Sequence, residues 1–278
     1  MSGSQMTFRG GSAEAVAALT DELAPLAGSG EAASALAEGL FSVSQTLRSE
    51  PALRRFLTDV SVPSDAKQGL VREVLGGKVS ETALSLVISA VGRRWTGSHD
   101  LPDALEHLSE IATVRSAGGD AERLADELFS FAQVVQGSPD LRDALSDPAR
   151  SADDKAALVD DLLGGKALPA TVTLAKQALA GTYRTVSVAL AEYQKVAAAV
   201  RDEGVATVRV AKPLSESETA RLGEALQRAY RRPVHLNVLV DPEVLGGIKV
   251  EIGDDVIDGT IASRLDDARR DLLGNRAG

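Results

Sequence analysis

The chain has no cysteine, only 3% aromatic residues, and no run of about 18 apolar residues among its 278 positions. Without cysteine there are no disulfides and no thiolate metal ligands, which suits a reducing compartment. So few aromatics mean that any core must be built from small aliphatic side chains packed closely between helices, and the abundance of Ala and Leu favours helices. The missing apolar run excludes a membrane-spanning helix. The opening MSGSQMTFRGGSAEA also lacks the apolar centre of a secretory signal, so a soluble cytoplasmic chain without direct membrane insertion is expected. Positive charge is in deficit: 30 Lys and Arg stand against 40 Asp and Glu, a net charge of −10. Such a chain repels phosphate backbones and anionic lipid at long range, which argues against nucleic acid as a partner.

Catalytic and metal-binding patterns are equally scarce. His99, His107 and His235 show no H-E-x-x-H or other paired ligand spacing, so no metal site is expected. No G-x-S-x-G elbow marks a nucleophile, and no cofactor is expected. The Gly-Gly-Lys runs at 76–78 and 164–166 are followed by Val79 and Ala167, whereas a phosphate-binding loop needs Ser or Thr there; helix ends in left-handed conformation explain these glycines better. Trp95 beside Arg93 and Arg94 reads as packing in preference to an interface anchor, and Arg231 with Arg232 as an ordinary helix end.

What the chain does have is one stretch twice. Residues 36–78 align without a gap on 124–166, each pair 88 positions apart, with 19 of 43 pairs identical. Self-similarity of this kind marks a repeated folding unit. Leu36, Leu40, Val43 and Leu47 fall on one helical stripe, and Leu124, Leu128, Phe131 and Val135 repeat it. Pro51 and Pro139 each open a short new helix, with Ser138 as a cap, and helices led by Asp65 and Asp153 follow. Beyond Gly-Gly-Lys two more helical segments are predicted per copy, over 80–94 and 100–116, then 169–181 and 185–203. There the spacing slips to 86, pairing Glu106, Ala112, Val114 and Arg115 with Glu192, Ala198, Val200 and Arg201.

After Gly204 the period changes from 3.6 to 2. Residues 205–211 alternate as a strand, Ser215 and Glu218 form a capping box for a helix bearing Leu222, Leu226 and Tyr230, and 234–240, 248–252 and 256–257 read as further strands. An amphipathic helix with Ile261, Leu265, Ala268 and Leu272 is expected to close the chain. The fold class is therefore mainly α: a disordered segment 1–12, two tandem helical bundles at 13–117 and 118–203 joined at Ala117-Gly118-Gly119, and a small α/β domain at 204–278.

The run from Val240 to Leu265, with Asp241, Pro242, Leu245, Gly246, Gly247, Gly253, Asp254, Asp258, Gly259 and Leu265 in order, resembles the C-terminal signature of the F-type ATP synthase delta subunits, whose mitochondrial counterpart is the oligomycin-sensitivity-conferring protein. The resemblance covers about residues 120–274, and the additional copy is similar to the enlarged delta subunits of actinobacteria. It implies a non-catalytic stator subunit on the cytoplasmic face of the cell membrane. Its implied partners are the alpha subunits of the catalytic head and the b-type stalk. The signature residues are read as structural: glycines for tight strand turns, Asp241 and Asp258 for bonds to backbone N–H groups. The competing reading is a free-standing helical-repeat adaptor for partner helices.

Overall fold

The computed structural model describes residues 8–244, 246–253, 255–261 and 263. The chain divides into two compact units, Met1–Ala197 and Ala198–Gly278.

The first unit is helical. Its first part holds α1 (Gly11–Ala27), α2 (Glu31–Ser49), α3 (Pro51–Thr58), α4 (Ser64–Leu75) and α5 (Glu81–Val91), followed by α6 (Asp100–Ser116). A single 3₁₀ turn, Gly118–Asp120, leads into α7 (Ala121–Gly137), α8 (Pro139–Ser146), α9 (Ala152–Leu163), α10 (Pro169–Ala180) and α11 (Val186–Val200). The repeat is realised element for element: α2 to α5 correspond to α7 to α10. Both predicted stripes are buried, from Leu36 to Leu47 and from Leu124 to Val135. Pro51 and Pro139 stand at the first positions of α3 and α8, where a missing N–H costs nothing, and Ser138 accepts from the Leu141 N–H at 3.3 Å.

The Gly-Gly pairs end α4 and α9 for two separate reasons. Gly77 and Gly165 adopt φ of 71° and 70°, the left-handed conformation that a Cβ disfavours. At Gly76 and Gly164 an added Cβ would lie 2.6 Å and 2.5 Å from the carbonyl oxygen one turn back, so only glycine lets the chain fold onto the helix end. Neither pair is a phosphate loop.

One expectation is corrected at the chain's beginning. The helical part starts at Gly11, inside the segment expected to be disordered, because Ser12 is fully buried: its hydroxyl donates to Asp100 Oδ2 at 2.6 Å and accepts from the Thr96 N–H at 2.8 Å. Residues 1–7 lie outside the described residues, as does the expected closing helix from 264 onward, with Leu265, Ala268 and Leu272.

The second unit is the expected α/β domain: β1 (Gly204–Val210), α12 (Glu216–Tyr230), β2 (Val234–Val240), β3 (Ile248–Ile252) and β4 (Asp255–Asp258). Sheet order is β2-β1-β3-β4, with β1 parallel to β2 and the other pairs antiparallel. The alternation read from the sequence puts Ala206, Val208 and Val210 inward, where they meet Val250, Ile252 and Leu226 of α12. Ser215 and Glu218 form the capping box, and Arg231 ends α12 in left-handed conformation, φ 55°.

Candidate functional site

The signature segment builds a turn in the second unit. β3 follows Gly246 and Gly247, and the chain returns along β4 to Gly259 and Thr260. An added Cβ on Gly247 would stand 2.4 Å from the Gly259 carbonyl oxygen and 2.8 Å from the Thr260 Cα, so the two backbone passes touch only because residue 247 is glycine. The crossing is sealed by Gly259 N–H to Ile248 O at 2.9 Å and Ile261 N–H to Gly246 O at 3.0 Å. Gly253 turns β3 into β4 with φ 58°. Asp258 Oδ1 accepts from the Thr260 N–H at 3.0 Å and its hydroxyl at 2.7 Å, and these bonds hold its carboxyl below the usual range. Asp241 Oδ1 accepts from the Glu243 N–H at 2.9 Å, while its own N–H donates to Val210 O at 2.9 Å. The signature thus brings Gly246, Gly247, Asp258 and Gly259 together, whereas Asp241 and Pro242 sit at the end of β2. Leu245, Asp254 and Leu265 lie outside the described residues. Every bond named here is made within the second unit.

A second constellation, without counterpart in the sequence reading, lies on α6. No residue of this helix is exposed, and Glu106 and Glu110 are both fully buried. The Thr182 N–H donates to both oxygens of Glu106, at 3.0 and 3.1 Å, and the Thr182 hydroxyl donates to Oε2 at 2.7 Å. Arg48 of α2 pairs with the same carboxylate and with Asp103 at 2.9 Å. Gly181 makes room for this, since a Cβ there would stand 2.1 Å from Glu106 Oε1. Glu110 meets His107 Nδ1 at 3.2 Å, and Tyr183 and Tyr193 pack nearby, ring centroids 5.6 Å apart and edge to face. Burial pushes the Glu110 carboxyl up, against the opposing pull of His107. Burial and then the Glu110 charge push both tyrosines up. The residues come from α2, α6, the loop after α10 and α11, so the cluster holds the two copies together.

The remaining sequence signals resolve simply. Trp95 is buried with its Nε1–H donating to Ala90 O at 2.9 Å, which is packing. His107 faces Glu110. Among the described residues no group of three His, Cys, Asp or Glu could hold a metal ion, and no helix is long and apolar enough to cross a membrane.

Comparison with known proteins agrees with the signature. A family model described as ATP synthase delta (OSCP) subunit matches residues 106–272, beginning inside α6. Over 269 residues the chain is 56% identical to the ATP synthase subunit delta of a Nocardioides species, covering 96% of this chain and 98% of the relative. It is 43% identical to that of Streptomyces coelicolor over 269 residues, 95% and 98% of the two chains. The subunit of Kineococcus radiotolerans matches at 43% over 240 residues. The first two alignments span nearly the whole relative, so those chains share the enlarged length.

Proposed function

From the premise that the chain belongs to the ATP synthase delta (OSCP) family, we propose that it ties the alpha subunits of the catalytic head to the b-type stalk on the cytoplasmic face of the membrane. It is a peripheral-stalk subunit of an F-type ATP synthase, and its contribution is mechanical. The carrying observation is the match over nearly full length, which takes in both the helical unit and the α/β unit. A stator must resist torque while the rotor turns. Closely packed helices with Ala and Leu interiors suit that demand, because dense interiors transmit strain instead of absorbing it. The free-standing adaptor has no comparable support.

The division of labour follows the sequence order. Residues 118–203 hold the head, 204–278 join the b-type stalk, and 13–117 brace the stalk. Asp241, Pro242, Gly246, Gly247, Gly253, Asp258 and Gly259, with Leu245, Asp254 and Leu265, act as structural residues that shape the α/β unit and take no part in chemistry. Crosslinking mass spectrometry of the assembled synthase tests the arrangement. Links from 118–203 to alpha subunits and from 204–278 to the b-type subunit are expected; head links confined to 13–117 would reverse the assignment.

A further inference from the structure

α6 stands where the repeat calls for two helices. At the spacing of 88, which carries Leu36 onto Leu124 and Trp95 onto Tyr183, α6 falls on α1: Glu110 on Glu22, Ile111 on Leu23, Ala112 on Ala24. At the spacing of 86 it falls on α11: Glu106 on Glu192, Ala112 on Ala198, Val114 on Val200, Arg115 on Arg201. The first register makes α6 the opening helix of the second copy, and the other makes it the closing helix of the first.

The packing bears both registers at once. α1 packs on α2 and α5, and α6 packs on α7 and α10, their counterparts in the second copy; α6 also packs on α1, α2, α3 and α5. Burial follows. α1 leaves Glu14, Ala17, Asp21 and Ala24 exposed, as a helix with one covered side does, whereas α6 leaves nothing exposed. The carboxylates tell the same story. Glu22 of α1 reaches Arg93 just beyond α5, and Glu106 and Glu110 of α6 reach Thr182 and Tyr183 just beyond α10.

We infer that α6 is a single helix shared by the two bundles and fastened through Glu106 to Arg48 on one side and Thr182 on the other, so that both copies open or hold only as a whole. The glycines at 118 and 119 then join elements of one packed body and do not form a pivot. This deepens the stator reading by making the additional copy one lever with the second, but the inference itself concerns folding and stands or falls without the synthase.

Hydrogen exchange on the full chain tests it. Leu40→Ala truncates a buried side chain of α2 in the first copy only, and Leu174→Ala does so in α10 of the second. Exchange limited by opening of the whole unit rises everywhere that opening exposes. Each variant is therefore expected to speed core amides of α2 and α10 alike, on the order of a hundredfold. Acceleration confined to the copy that carries the substitution would overturn the shared helix. If a leucine variant does not fold, Gly181→Ala serves instead, because its Cβ displaces the Glu106 carboxylate. Faster exchange in α2 as well as α10 is expected, and a change limited to the residues around 181 would contradict the fastening. Failure of the chain to purify with a synthase would sink the stator reading while leaving this result intact.

Discussion

The two copies share a frame and solve one local problem in opposite ways. α5 in the first copy is capped by the residue that precedes it: Ser80 accepts from the Ala83 N–H at 3.2 Å, and Gly39 of α2 lets the two helices close, a Cβ there lying 2.7 Å from that of Ala83. In the second copy Ser80 is replaced by Leu168, which cannot cap, and Gly39 by Glu127. Glu127 reaches across from α7 and ties down the start of α10 through other donors, accepting from the Leu168 N–H at 2.8 Å and the Thr171 hydroxyl at 2.6 Å, while Arg123 supports it at 2.8 Å. One tie is local and neutral; the other is long-range and charged. The lesson is that helix ends must be held somewhere, and a duplicated unit can move the group that does it from one element to another.

Overpacking the first solution carries the largest expected effect. Gly39→Leu forces a side chain into the contact with Ala83 and Val79 and is expected to cost about 3 kcal/mol of unfolding free energy in chemical denaturation. Removing the second solution costs less: Glu127→Ala strips the tie at the start of α10, with an expected loss of about 1–2 kcal/mol. Adding Leu168→Ser to that variant transplants the first copy's cap and is expected to recover about half the loss. No recovery would show that the two solutions are not equivalent.

Acid separates the copies further. Burial works against the Glu127 charge, but its hydrogen bonds to Thr171, Leu168 and Arg123 outweigh that and hold its carboxyl below the ordinary value of 4.5. Its contribution is therefore present above the unfolded value and lost as pH falls through the folded one. A denaturation series below about pH 5 is expected to show a smaller acid loss for Glu127→Gln than for the parent chain.

Glu110 has the opposite sign. Burial raises its carboxyl, so the stability that goes with its neutral form is complete below 4.5 and declines as pH rises. The groups facing it are His107 and Glu106 on α6, Tyr183 beyond α10 and Tyr193 on α11, with Arg48 of α2 alongside. Glu110→Gln keeps the shape without the charge. Its melting temperature relative to the parent is expected to rise as the pH is taken up from 4.5, the smallest of these effects.

The copies also differ at their surfaces. Over the 43 aligned residues the first carries six Lys and Arg against five Asp and Glu, the second four against nine. Arg55 and Phe56 on α3 become Asp143 and Ala144 on α8, although the buried stripe beneath is preserved. Packing constrains the inner face alone, leaving the outer one free to diverge.

The same asymmetry explains what could be read in advance. The leucine stripes, the proline helix starts, the Gly-Gly ends, the Ser215 capping box and the alternating strands each leave a local periodic or spacing signal, and the elements formed where those signals stood. Glu106 and Glu110 leave none, because they lie on a face of α6 that is closed only after the loop at Thr182, 76 residues beyond Glu106, has docked. The Glu127 tie was visible in principle. Gly39 against Glu127 and Ser80 against Leu168 are mismatches in an otherwise faithful repeat, and together they say that the tie at this helix start has moved. Ser12 is a similar case, since its burial depends on Asp100.

The central claim is mechanical coupling, and proton pumping measured beside ATP hydrolysis in membrane vesicles tests it most directly. Vesicles from cells lacking the chain are expected to keep hydrolysis at the head while losing ATP-driven proton uptake, with uptake restored when the purified full chain is added back. Undiminished proton uptake in its absence would contradict the account.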